Sequence, residues 1–298
     1  MITGDEFFES PRDWSLLKYK ILSCYFSQYF PKVNNKFKMG AVVADLFAGR
    51  GRFQNGSEGS PLILAQQAKI YNERLGLKNK VILAEKIEAD RLQLCENLKE
   101  YIDSNVVDVI PRDAGDAGKR LMASIMPGSP LFVFLDPFGI KGLSLELLQK
   151  VLQRAKRDST ELLLNFNHRA LPRLSGICKH LSSDDNKLRK QAVSVKQTAD
   201  EVFGGDWWLE IMNNPALADE EKALCVLDKY SGSYQTAFKW FVKIPVPESF
   251  LRGGKPKYFL IFGSQSIVAF ELMNDCVNRA QKELVLAEIA RQKPRHFI

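Results

Sequence analysis

Along the chain the spacing of apolar residues switches between two periods in a regular order. From Trp14 to Phe30 it is helical, with Trp14, Leu17, Ile21, Tyr25 and Phe30 in or near one stripe, which predicts a helix laid over the segment that follows. Met39 to Asp45 is a short apolar run after the basic stretch Lys32 to Lys38, and it ends in an acid and a glycine-rich turn, the pattern of a buried strand. Strand-like runs at 80–85, 106–110, 131–136 and 161–166 then alternate with helical patterns at 62–71, 89–102, 119–125 and 144–156. Strands and helices alternating at this spacing predict a parallel sheet covered on both faces.

The pattern is lost between His168 and Ser231, where polar and charged residues dominate and helical spacing returns in pieces. Beyond it, runs at 237–245 and 257–262 separated by Gly253 and Gly254 predict an antiparallel pair at the sheet edge, and Ile267 to Arg291 a long amphipathic helix. The expected organisation is an N-terminal helical segment (1–40), an α/β Rossmann-like core (41–167), a mainly helical insertion (168–231), and a hairpin and helix that complete the core (232–298). The expected sheet is mostly parallel with an antiparallel edge hairpin.

Composition narrows this picture. With 298 residues, 45% of them hydrophobic, the chain has enough apolar material for a substantial core, and it carries no low-complexity tract that would favour disorder. A net charge of +7 suits a polyanionic partner such as nucleic acid, and equally a solvated basic face. Five scattered cysteines (Cys24, Cys95, Cys178, Cys225 and Cys276) never form CxxC, which argues against a disulfide framework and a zinc cluster. His168, His180 and His296 share no ligand spacing, so no metal site is expected. The acidic start MITGDEFFESPRDW lacks the blocks of a signal peptide, and no apolar run approaches membrane-spanning length, so a cytoplasmic setting without a membrane is expected. The oligomeric state is left open.

Candidate chemistry clusters at strand ends. Asp45-Leu-Phe47-Ala-Gly49-Arg50-Gly51-Arg52 places two glycines directly after a strand, where the backbone turns tightly and a ligand can approach it. Glu85 ends the second strand, where a carboxylate can accept from ribose hydroxyls. Asp113 follows the third strand and can accept from an adenine amino group, with Asp116 competing for that role. Asp136-Pro137-Phe138-Gly139 follows the fourth: a carboxylate and the Pro137 carbonyl can hold a planar amine while Phe138 stacks on a flat substrate. Arg50 and Arg52 fit an anionic substrate, a cofactor carboxylate or a salt bridge to a nearby acid. Arg169 and Arg173 begin a basic region reaching Lys196 that reads either as a guide for nucleic acid or as a solvated helical face. The four acids Asp45, Glu85, Asp113 and Asp136 around a divalent metal form a lower-ranked alternative, a nucleic-acid-processing enzyme, because the glycines and aromatic residues between them suit a nucleoside better.

The glycine turn resembles the first motif of Rossmann-like methyltransferases, and Asp136 to Gly139 is similar to the D/N-P-P-Y/F signature of amino-methyltransferases. More of the chain looks like the three-Cys-motif partner (TcmP) family of methyltransferase-like proteins. The resemblance rests on the Trp14-to-Tyr25 helix, Asp-Leu-Phe-Ala-Gly (45 to 49), Gly59-Ser-Pro-Leu62, Asp-Pro-Phe-Gly (136 to 139), and Tyr-Phe-Leu-Ile-Phe (258 to 262) before a helix containing Met273. It departs from the family at Gly49-Arg50-Gly51, where such families often carry Gly-Pro-Gly. The resemblance implies S-adenosylmethionine as cofactor, methyl transfer to a nitrogen such as an exocyclic nucleobase amine, and a radical S-adenosylmethionine protein with a three-cysteine motif as partner. It is equally compatible with a catalytically silent scaffold for that partner.

Overall fold

The computed structural model describes Glu9 and residues 13–292; the rest of the acidic start and His296 lie outside the described residues. Helix α1 (Asp13–Phe37) precedes an alternating core of β1 (Val42–Asp45), α2 (Ser60–Leu75), β2 (Lys80–Ala84), α3 (Glu88–Asn97), α4 (Lys99–Asp103), β3 (Val107–Ile110), α5 (Ala114–Ser124), β4 (Leu131–Leu135), α6 (Leu145–Ala155) and β5 (Thr160–Phe166). Four helices follow, α7 (Ala170–Cys178), α8 (Asn186–Phe203), α9 (Trp207–Met212) and α10 (Asp219–Ala237), with a short 3₁₀ turn after α7. Strands β6 (Trp240–Ser249) and β7 (Gly253–Ser264) and helix α11 (Ile267–Gln292) complete the chain.

The seven strands form one sheet in the order β3-β2-β1-β4-β5-β7-β6. β1 to β5 pair in parallel, whereas β7 runs antiparallel to both β5 and β6. The expected Rossmann-like sheet, mostly parallel with an antiparallel hairpin at its edge and a helical insertion, is what the chain forms. Alternating strand residues feed two separate cores, as the two-residue period of a strand requires. Val43, Phe132, Phe134, Leu163 and Phe262 face α1, α2, α3 and α11. Ala44, Val133, Leu135, Leu162 and Leu164 face α5, α6 and the inserted helices, with Leu147, Phe203 and Trp208 among their neighbours.

Helix α1 closes the first face with an aromatic cluster: Phe132 of β4 lies 4.8 Å from Phe26, 5.6 Å from Tyr25 and 5.8 Å from Tyr29, ring centre to ring centre. Polar contacts fix its height on the sheet. Tyr25 donates from its hydroxyl to Glu161 at 2.5 Å, Tyr258 donates to the Trp14 carbonyl at 2.5 Å, and Cys24 meets Cys276 of α11 with 2.6 Å between sulfurs.

Several boundaries differ from expectation for local reasons. The first helix, expected to Phe30, takes in most of the basic run and continues to Phe37. The helix expected over 89–102 breaks where Leu98 leaves helical geometry (φ −112°, ψ 11°) while keeping its side chain buried. The helix expected from 119 starts at Ala114 because Asp113 caps it. Ala237 ends α10, so the first hairpin strand starts at Trp240 rather than at 237. Among the described residues no helix is long and apolar enough to cross a membrane.

Truncating Phe132 to alanine empties the contact between α1 and the central strand. We expect Phe132→Ala to lower the unfolding free energy by about 3–5 kcal/mol in urea denaturation followed by circular dichroism. A loss below about 1 kcal/mol would mean that α1 is not seated on β4 as described.

Candidate active site

The sheet reverses direction of growth between β1 and β4, and in open α/β sheets that switch point opens a crevice at the carboxyl ends of the strands. Asp45 and Asp136 flank it. After Asp45 the chain still pairs with its neighbours, Leu46 N–H donating to Phe134 O at 3.3 Å and Ala48 N–H to Ala84 O at 3.0 Å. It then turns at Gly49 (φ 60°) and Gly51 (φ 75°), a backbone region that favours glycine. A Cβ on Gly51 would also sit 2.9 Å from Leu94 Cδ1, and Gly59 N–H closes the loop onto Gly51 O at 2.8 Å.

Glu85 organises this loop from the neighbouring strand. Its Oε2 accepts from Gly49 N–H at 3.0 Å and its Oε1 from Ile87 N–H at 2.7 Å, so one half-buried carboxylate ties the loop after β1 to the loop after β2. Asp113 stands exposed at the end of β3 and accepts from Asp116 N–H at 3.0 Å as the N-cap of α5. Asp116 lies in the first turn of that helix.

Asp45 is fully buried; its Oδ1 accepts from Phe47 N–H at 3.1 Å, and Oδ2 has no hydrogen-bond partner among the described residues. Burial pushes its carboxyl up to about 7, against the pull of Ser60 and the Phe47 N–H, with the charge of Asp136 adding to the rise.

At the end of β4, Asp136 is held from two sides. Lys18 of α1 donates to Oδ2 at 2.5 Å in a largely buried ion pair, and Asn165 of β5 donates from Nδ2 to Oδ1 at 2.7 Å. Pro137 is buried, whereas Phe138 is 75% exposed at the mouth. The turn that follows packs on the first loop: Gly142 (φ 91°) lies so close to Phe47 that a Cβ there would come within 2.9 Å of the ring. The two motifs are thus packed against each other at the strand ends. Tyr19 of α1 is close enough to feel both acids, its hydroxyl pushed upward by burial and then by Asp136 and Asp45, and its ring lies 5.8 Å from Phe53.

Lys18, Tyr19 and Asn165 were not among the sequence candidates. Neither was His168, whose imidazole is buried edge-on to Phe259 at 5.0 Å and shifted down to about 4 by burial and then by Arg169. Asn165 Oδ1, Asn167 Oδ1 and His168 Nδ1 are buried without hydrogen-bond partners among the described residues, all at or just beyond the end of β5.

The arginines are placed differently from the acids. Arg50 pairs with Asp90 of α3 at 2.6 Å, the salt-bridge alternative, and its carbonyl accepts from Asn97 Nδ2 at 2.9 Å. Arg52 donates to Gly56 O at 3.0 Å. Both line a polar cavity of about 350 Å³ with Gln54, Gln93 and Glu96, between the loop and α3. Arg169 binds Glu248 at 2.6 Å and Lys255 O at 3.0 Å, tying the start of α7 to the hairpin, and Arg173 is exposed on α7. Among the described residues no three His, Cys, Asp or Glu side chains stand together as a metal site.

No protein-family model and no curated protein matches the chain. Among solved structures, the chain is similar to an rRNA methylase from Streptococcus thermophilus at 12% identity, covering 84% of this chain and 95% of that one with a TM-score of 0.36. It is likewise similar to the plantazolicin methyltransferase BamL, solved with a triazolic desmethylPZN analog and SAH, at 12% identity over 93% of this chain and 80% of that one, with a TM-score of 0.37. Both scores lie below 0.5, so the assignment to a Rossmann-like fold stands on strand order and register.

Asp45 also gives a pH signature. The unfolded chain ionises it near its ordinary value of 3.8, whereas the folded chain keeps it protonated up to about 7. The folded state therefore binds more protons in that window, and this contribution to stability is lost as pH rises through it. We expect Asp45→Asn to gain stability relative to the parent chain progressively from about pH 4 to about pH 7, read as urea midpoints. A difference that does not change with pH would show that Asp45 is not protonated in the fold.

Proposed function

We propose that the chain is an S-adenosylmethionine-dependent methyltransferase that acts on an exocyclic amine of a nucleobase in nucleic acid. One observation carries this reading: the contact of Gly142 with Phe47 joins the glycine loop anchored by Glu85 to Asp136 and Phe138, so a nucleoside-type cradle and a planar-amine site share one crevice. The residues present fit the cofactor. Among the described residues Asp45 Oδ2 is a buried acceptor without a partner, and Gly49 and Gly51 take the positive φ that lets the loop turn tightly after β1.

In this reading Asp45, Phe47, Gly49 and Gly51 shape the donor site, Glu85 accepts from ribose hydroxyls and Asp113 from the adenine amino group. When bound, S-adenosylmethionine supplies a sulfonium-borne, electrophilic methyl group. The chain aligns the acceptor. Asp136 and the Pro137 carbonyl accept the amine N–H bonds, which leaves the nitrogen lone pair out of those hydrogen bonds, and Phe138 stacks on the base. The exposed Arg173, Lys187, Arg189 and Lys190 of α7 and α8 attract a phosphate backbone and support the choice of nucleic acid. The resemblance to the three-Cys-motif partner family adds a radical S-adenosylmethionine protein as a partner in the cytoplasm.

Phe138 is exposed, so its removal tests the acceptor side without disturbing the core. With methyl transfer from labelled S-adenosylmethionine to bulk RNA and DNA as the assay, Phe138→Ala is expected to raise KM for the nucleic acid about tenfold, with calorimetric binding of S-adenosylhomocysteine unchanged. Folded protein that binds no S-adenosylhomocysteine would overturn the reading as a whole.

A further inference from the structure

The acceptor site is completed by a charge from outside the alternating core. Lys18 sits on α1 amid the apolar stripe of Trp14, Leu17, Ile21 and Tyr25, and it is buried. A lysine on such a face is expensive to bury unless it is paired. Its ammonium meets Asp136 Oδ2 at 2.5 Å and lies 5.5 Å from the ring centre of Tyr258 and 6.0 Å from that of Tyr19. The second oxygen of Asp136 takes a neutral donor, the Asn165 amide. Burial pushes the nearby Asp45 carboxyl up to about 7 and holds the Tyr19 hydroxyl in its neutral form. The Asp136 carboxylate is therefore already joined to a positive charge, its closest charged partner.

A carboxylate so compensated still accepts a hydrogen bond through its remaining lone pairs, but it no longer acts as the counter-ion of a second cation. We propose that Lys18 is a specificity-determining residue: by neutralising Asp136 it makes the acceptor site select a neutral amine and reject an alkylammonium group. This rests on the methyl-transfer reading above. It narrows the substrate class to amines uncharged at neutral pH, as the exocyclic amines of nucleobases are, and excludes lysine-like side chains and polyamines.

Sinefungin tests this without any acceptor, because it carries an ammonium group where S-adenosylmethionine carries the transferable methyl. The quantity measured is the ratio of the Kd for S-adenosylhomocysteine to the Kd for sinefungin, by calorimetry on the full chain with folding verified by circular dichroism. In Lys18→Met the uncompensated Asp136 is expected to shift the ratio toward sinefungin by about tenfold or more. In Asp136→Asn the uncompensated Lys18 is expected to shift it about tenfold the other way. Should Lys18→Met fail to fold, the direction of the Asp136→Asn shift decides. A distortion of structure alone would not move the ratio in opposite directions in the two variants. Unchanged ratios, or shifts of the same sign, in protein that binds S-adenosylhomocysteine would overturn the role of Lys18 while leaving the methyl-donor assignment in place. A parent chain that binds neither ligand would overturn both.

Discussion

Strand β4 must be covered on both faces, and the rest of the molecule is arranged around that demand. All five of its side chains are buried, Phe132 and Phe134 on one face and Leu131, Val133 and Leu135 on the other. An apolar strand of this kind is stable only between two helical layers, so α1 and α11 are as necessary on one side as α6 and the inserted helices are on the other. Once both faces are sealed, polar groups collect at the strand ends. Asp45 and Asp136 stand there on either side of the reversal of strand order between β1 and β4, Glu85 bonded to the loop after Asp45 and Asn165 to Asp136.

Burial alone does not set the acids at this end of the sheet apart. Glu161, at the start of β5, is also buried and also pushed up to about 7, yet Tyr25 and Ser264 each donate to one of its oxygens. Asp45 shows the same shift, but among the described residues its Oδ2 has no partner, nor has Asn165 Oδ1. A satisfied buried carboxyl is part of the scaffold. A ligand with hydrogen-bond donors would complete the acceptors of Asp45 and Asn165 at these strand ends.

The alternation of strands and helices, the glycine loop and Asp136 to Gly139 were legible in the sequence because each is a local signal: a period, a backbone requirement or a turn after an apolar run. The residues that surround Asp136 were not. Asn165 interrupts an apolar strand and Lys18 an apolar helical stripe, and each is explained by a partner distant in the chain. A lone polar residue on a face that must be buried was the signal available, though it does not name its partner. Local chemistry also took residues that ligand chemistry had suggested: Asp113 caps a helix, and Arg50 pairs with Asp90. Cys24 and Cys276 lie 252 positions apart, and only the packing of the first helix on the last brings them together.

The place of β7 in the sheet governs how the chain reaches this state. Strand β7 follows β6 in the chain yet lies between β5 and β6 in the sheet, and its Leu260 and Phe262 fill the core beneath α1. Until residue 264 has been synthesised, β5 presents an open, apolar edge, the kind that recruits other chains. Helix α1 must likewise wait, since Tyr258 and Cys276 complete its seat. Helix α1 is thus made long before it is secured, and a nascent chain halted within the inserted helices carries both exposed surfaces at once.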